Sequence, residues 1–151
     1  MINVAVGIIL REDAPAGTPR SVLLCQRKAT GRYPLKWEFP GGKVEPNEHV
    51  DAALRRELHE ELGIDASVGT LYHQQQYTYP DNGTFDVHYY LVPHFTGTLV
   101  NRVFESFAWV PIDRLPLGVA VTIEFLGPLG VAAGASRRPR DRNRPAPDAD
   151  R

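Results

Sequence analysis

The sequence predicts an α/β fold of the α+β kind, in which a mixed sheet is flanked by helices within one domain. Three observations predict it. Leu54, Leu58 and Leu62 recur at helical spacing. Several runs rich in β-branched, aromatic and aliphatic residues are bounded by Gly, Pro, Asn or Asp. Two of those runs, 68–79 and 84–95, flank Pro80-Asp81-Asn82-Gly83, a hairpin turn signal. Strands interrupted by a long helix can bury their apolar faces only by layering the helix on the sheet.

Taken in order, residues 3–10 and 20–27 read as strands joined by a Pro/Gly-containing loop over 11–19. Trp37-Glu38-Phe39-Pro40-Gly41-Gly42-Lys43 reads as a strand end entering a tight turn, where paired glycines allow positive φ and a close approach to a ligand. A helix is expected over 48–62. Asn47 is placed to cap it, Glu48 and Asp51 fall near the positive end of its dipole, and Gly63 is placed to end it. At 100° per residue the three leucines span about 80°, and Glu57, Glu60 and Glu61 span an adjoining arc of about 100°. One face packs while its neighbour gathers three carboxylates. After the hairpin, 104–110 adds a strand and 119–126 a short helix. Residues 135–151 hold six arginines, three aspartates and three prolines but no large apolar side chain. Such a segment cannot form a core, so a domain over 1–133 and a disordered Arg/Pro-rich tail over 134–151 are expected. No internal repeat is present.

The chemistry is concentrated between Gly42 and Ile64. Gly42, Glu48, Arg56-Glu57-Leu58, Glu60-Glu61 and Gly63-Ile64 follow the pattern G-x5-E-x7-R-E-U-x-E-E-x-G-U, where U is a bulky aliphatic. Glutamates three or four residues apart on an exposed helix repel by only about 0.2–0.5 kcal/mol per pair, so an acidic face by itself is unremarkable. The spacing from the glycine turn gives it meaning. Hard cations take oxygen ligands, and a cation held by carboxylates can neutralise a phosphoanhydride and lower the pKa of a bound water. Arg56 is placed either to clamp a phosphate or to orient a neighbouring carboxylate. Gly41-Gly42-Lys43-Val44 is not a P-loop, lacking both its glycine spacing and its Ser or Thr.

In these residues the chain resembles the Nudix hydrolases, and the likeness extends over about residues 2–126. It looks most like the MutT-type branch, whose members hydrolyse nucleoside triphosphates, CTP-directed and oxidised-purine-directed enzymes among them. The resemblance implies an α/β/α sandwich and an Mg²⁺ ion, or Mn²⁺ in its place. It implies metal ligands among Glu57, Glu60, Glu61, Glu105 and the carbonyl of Gly41 or Gly42, with catalytic parts for Glu57, Glu60, Glu105 and Arg56. Glu105 precedes Phe107-Ala108-Trp109-Val110-Pro111 and matches a late family carboxylate; a surface acid is its other reading. Arg27 matches an arginine that faces substrate, and Gly41, Gly42 and Lys43 of the turn are further substrate-binding candidates. Phe39, Tyr77 and Tyr79 are candidates for base stacking, or are sheet-packing aromatics. Where oxidised-guanine enzymes carry an Asn or Asp that reads the base, this chain has Val121 beside Thr122. That departure argues against an oxidised-purine preference.

Composition fits a globular enzyme, with 42% hydrophobic and 23% charged residues. No run is long enough to span a bilayer, and no basic-then-apolar leader is expected at the N-terminus. Cys25, the single cysteine, lies in an apolar strand-like run and is expected to be a buried thiol in a reducing cytosol. The histidines show no zinc-ligand spacing with it. Of 17 basic and 18 acidic side chains, six and three fall in 135–151, leaving eleven against fifteen and a charge of about −4 on the body. An acidic body that binds polyanions points to metal counter-charge. The expected partner is a nucleotide, with no stable nucleic-acid partner, and the chain is expected to be a monomer or homodimer. Two further readings stand beside triphosphate hydrolysis: hydrolysis of another nucleoside diphosphate-linked compound, ADP-ribose-like, and a non-catalytic nucleotide-sensing module.

Overall fold

A computed structural model describes residues 1–11, 13–80, 83–116 and 119. Its core is a four-stranded sheet built from β1 (Ile2–Ile9), β4 (Gly41–Lys43), β6 (Leu71–Tyr79) and β7 (Gly83–Val92), in the order β4-β1-β7-β6. β1 and β7 run parallel, while β4 and β6 pair antiparallel at either side, so the sheet is mixed as expected. A second, antiparallel sheet orders β3 (Trp37–Glu38), β2 (Ser21–Gln26) and β9 (Ser106–Pro111). A bridge between Leu10 and Val22 ties the two sheets together. β5 (Asp65–Ser67) and β8 (His94–Thr96) form a short third pair.

The helix α1 (Val50–Leu62) packs on one face of the main sheet through Leu54, Leu58 and Leu62, all fully buried with Ala5 and Ile9. Alternation along β1 sends Val6 and Ile8 to the opposite face, where they join Val22, Leu24, Val87 and Tyr89. Gly7 lies under the helix, where a β-carbon would sit 3.4 Å from Leu54, Leu58 and Val92. Cys25 is buried, as its apolar run implied, and burial pushes its thiol well above the usual range.

Several boundaries differ from expectation for identifiable reasons. The helix begins at Val50, with His49 as its N-cap and no side-chain cap. Asn47 instead takes a left-handed turn, φ 63°, so it does not cap the helix. Glu48 therefore lies before the first turn, although Asp51 is within it. Gly63 ends the helix as expected, at φ 68° with its N–H donating to the His59 carbonyl. The strand expected over 84–95 breaks at Pro93, which has no N–H for the ladder, and the chain resumes as β8. The strand expected from residue 68 starts at Leu71 and shifts register between Leu71 and His73. Phe104 and Glu105 precede β9 instead of opening it. Part of the hairpin turn, all but the first residue of the helix expected over 119–126, Val121 and Thr122 included, and the tail lie outside the described residues. Among the described residues, no helix is long and apolar enough to cross a membrane.

Candidate active site

Two constraints fix the glycine turn against the helix. β4 pairs with β1, Gly41 opposite Val6 and Lys43 opposite Val4, and the Gly7 N–H donates to the Pro40 carbonyl at 2.9 Å. Gly41 takes φ 152°, and a β-carbon there would run into the Ala5 carbonyl. At Gly42 a β-carbon would collide with the Glu57 carboxylate. The paired glycines thus let backbone and carboxylate approach more closely than any side chain would permit.

Arg56 ties the acidic groups together. Its Nε and Nη2 grip Glu48 at 2.9 and 3.0 Å, its Nη1 donates to Glu57 at 2.8 Å and Glu60 at 3.4 Å, and Nη2 also donates to the Lys43 carbonyl at 3.1 Å. Those contacts engage all five guanidinium N–H groups. The Arg56 hydrogen bonds and the Glu45 N–H hold the Glu48 carboxyl down at about 2. The mutual bonding also raises Arg56 above its usual range, so the pair stays ionised.

Glu61 occupies the inner side of the same face. Burial, then the Glu57 charge, push its carboxyl up to about 8, opposed by a bond from the Gly41 backbone N–H and reinforced by Glu38 and Glu60. Its Oε2 is buried without a hydrogen-bond partner. An orphaned buried oxygen on an acid crowded by other acids is costly unless a cation or proton joins it. Among the described residues no three carboxylate, histidine or cysteine side chains already surround a common metal position. Arg56 pairs with the oxygens of Glu57 at 2.8 Å and Glu60 at 3.4 Å.

The face opens into a cleft of about 650 Å³, within the size range of small-molecule sites. Arg27, Phe39, Gly41, Gly42, Lys43, Glu61 and Tyr79 all line it, bringing most of the sequence-named residues together. Phe39 is almost fully buried in the core beneath the cleft, whereas Tyr79 is 40% exposed and meets Phe85 edge-on, their centroids 5.6 Å apart. Tyr77 donates to Gln75 at 3.1 Å and lies 3.4 Å from the Tyr89 hydroxyl. Glu105 is exposed, its N–H donating to the Gln26 carbonyl, and it is not among the cleft-lining residues.

Glu38 is a cleft residue that sequence reasoning passed over. Burial raises its carboxyl, while Arg27, whose Nη1 donates to it at 3.0 Å, opposes the rise. Strand alternation within Trp37-Glu38-Phe39 was the available signal, but with Phe39 packed inward it did not say which side faced a site. Glu48 was visible in the motif, yet its grip on Arg56 depends on the turn before the helix.

The NUDIX domain pattern matches residues 1–126. This chain belongs to the Nudix family. It is a Nudix hydrolase, and it is 40% identical over 111 residues to the CTP pyrophosphohydrolase of Escherichia coli K12, covering 72% of this chain and 75% of that one. It is 36% identical over 118 residues to the 8-oxo-dGTP diphosphatase of Haemophilus influenzae, covering 78% and 82%. The crystal structure of a MutT NUDIX hydrolase from Burkholderia pseudomallei superposes with a TM-score of 0.67 at 26% identity, covering 79% of this chain and 89% of that one. The Nudix fold expected from the motif is therefore the fold observed. Nudix hydrolases as a family use a divalent metal, and the unpartnered Glu61 oxygen beside Glu57 fits one. Held by these carboxylates, such an ion would neutralise phosphate charge and acidify a bound water.

Proposed function

We propose that this Nudix chain hydrolyses a nucleoside triphosphate to the monophosphate and pyrophosphate, with Mg²⁺ as the ion and Mn²⁺ able to replace it. The observation that carries this reading is the Glu61 Oε2, buried without a hydrogen-bond partner, beside the Glu57 charge at the wall of a cleft of about 650 Å³. The named activities of the relatives, a CTP pyrophosphohydrolase and an 8-oxo-dGTP diphosphatase, support the triphosphate class.

In this reading Glu57, Glu60 and Glu61 hold the metal, with the carbonyl of Gly41 or Gly42 beside them. Arg56 is a positioning residue: with every donor engaged, it has none left to clamp a phosphate. Arg27, Lys43 and Gly42 face the phosphate chain, and Tyr79 with Phe39 lines the part of the cleft that takes the base. Glu105, before β9 and not on the helix that carries the three glutamates, takes a lesser part in metal binding or water activation. A cytosolic site of action fits a lone buried thiol.

The test is product analysis. Purified protein with Mg²⁺ is incubated with normal and oxidised nucleoside triphosphates and with ADP-ribose-like compounds. Pyrophosphate and a nucleoside monophosphate are expected from at least one triphosphate, and chelation should stop their release. Two monophosphates from the linked compounds, with no pyrophosphate from any triphosphate, would replace this substrate class with the other.

A further inference from the structure

The segment joining β2 to β3 carries chemistry that the acidic face does not use. Tyr33 and Leu35 take left-handed backbone, φ 49° and 61°, which side chains of this size avoid. Hydrogen bonds hold them there: Arg27 N–H to the Lys36 carbonyl at 2.9 Å, Leu35 N–H to the Arg27 carbonyl at 3.2 Å, and the Gln26 amide to the Leu35 carbonyl at 3.2 Å. Strain of this kind persists where the surroundings over-determine it, and it concentrates at ligand clamps.

What the strained loop achieves is a gathering of positive charge. Lys36 Nζ lies 5.4 Å from the centre of the Tyr33 ring, the Arg32 guanidinium 5.8 Å and the Arg27 guanidinium 6.0 Å. A tyrosine ring attracts cations at this range, but one ring offsets only part of the repulsion among three. Glu38 balances Arg27, and among the described residues Lys36 has no carboxylate partner. Arg32, Tyr33 and Lys36 line the same cleft as Gly42 and Glu61. The cleft therefore has an acidic wall suited to a metal and a cationic lip suited to an anion.

We propose that Lys36 and Arg32, organised by Tyr33, form a second anion subsite that receives the terminal phosphates of the substrate, the part that leaves as pyrophosphate. This rests on the triphosphate reading above. The terminal phosphates carry the densest negative charge, and the lip supplies positive charge additional to that of a single divalent ion. Guanidinium and ammonium groups bind phosphate oxygens by charge-assisted hydrogen bonds.

Binding of inorganic pyrophosphate and of a nucleoside monophosphate, each with Mg²⁺, is measured by calorimetry on the wild type, on the Arg32→Ala/Lys36→Ala double variant, and on Lys36→Gln, Tyr33→Phe and Tyr33→Leu. Melting temperatures confirm that each variant is folded. The pyrophosphate Kd is expected to rise about tenfold or more in the double variant and less in Lys36→Gln, with monophosphate binding changed by less than about twofold. Tyr33→Phe should bind pyrophosphate as the wild type does, and Tyr33→Leu more weakly. Unchanged pyrophosphate binding in the double variant, or an equal loss for both ligands, overturns the subsite. Because binding is read without turnover, a failure to cleave triphosphates tells against the parent reading separately.

Discussion

At the scale of single residues, Glu61 and Arg56 divide the work of the acidic face. Glu61 keeps an oxygen without a partner, whereas Arg56 leaves none of its donors free. Glu60→Gln and Glu61→Gln are expected to lower kcat by at least about 100-fold while circular dichroism stays that of the wild type. Full activity in both would remove these residues from the proposed metal site. Glu105→Gln should cost less than either, since Glu105 lies before β9 and not on α1, where Glu57, Glu60 and Glu61 share one face. Arg56→Lys cannot reproduce the fork that grips Glu48 while reaching Glu57. The metal concentration for half-maximal activity is expected to rise about tenfold in that variant, in the range found for groups that orient metal ligands. KM at saturating metal should change little; a rise in KM alone would mean that Arg56 binds phosphate directly. The identities of these residues were legible in the sequence because the motif fixes their spacing. Their division of labour was not, since it depends on Glu48 turning back from the segment before the helix.

At the scale of elements, α1 works as a ruler, with one stripe of leucines in the core and the next stripe carrying the glutamates, of which Glu61 lines the cleft. Leu58→Ala, at a fully buried position, is expected to cost about 2–5 kcal/mol of unfolding free energy in urea titration. Gly63→Ala forces a β-carbon into a left-handed position close to the Arg102 guanidinium, and about 1–2 kcal/mol should be lost. Gly42→Ala acts differently. Its β-carbon would displace the Glu57 carboxylate, so turnover should fall far more than the melting temperature. The helix period and its glycine stop were readable from local sequence. Its start was not, because Asn47 can serve as a cap or as a left-handed turn residue, and the downstream pull of Arg56 on Glu48 accompanies the second.

For the molecule as a whole, folding brings several acids together before any metal is present. Glu61 sits at about 8 in the folded chain against an ordinary 4.5. Because the folded value is the higher, its contribution to stability is complete below the unfolded value and is lost as pH rises through about 8. In chelator, the wild type should therefore lose stability relative to Glu61→Gln across that window, as read by thermal melts at stepped pH. A pH-independent difference between the two would show that the crowding of Glu61 does not hold in solution.

The sequence by itself determined the mixed fold class, the helix that carries three glutamates, the glycine turn before it and the family to which these belong. Each of those is written in short-range spacing, which the geometry of a helix or a tight turn translates directly into position. Tertiary structure alone decided that Glu38 shares a cleft with Glu61, that Arg56 is saturated by Glu48 and its neighbours, and that three cations converge on Tyr33. Those relations join segments whose meeting is set by strand pairing and strained loops, and the free energy of a charge depends on which others the fold brings within a few ångströms of it.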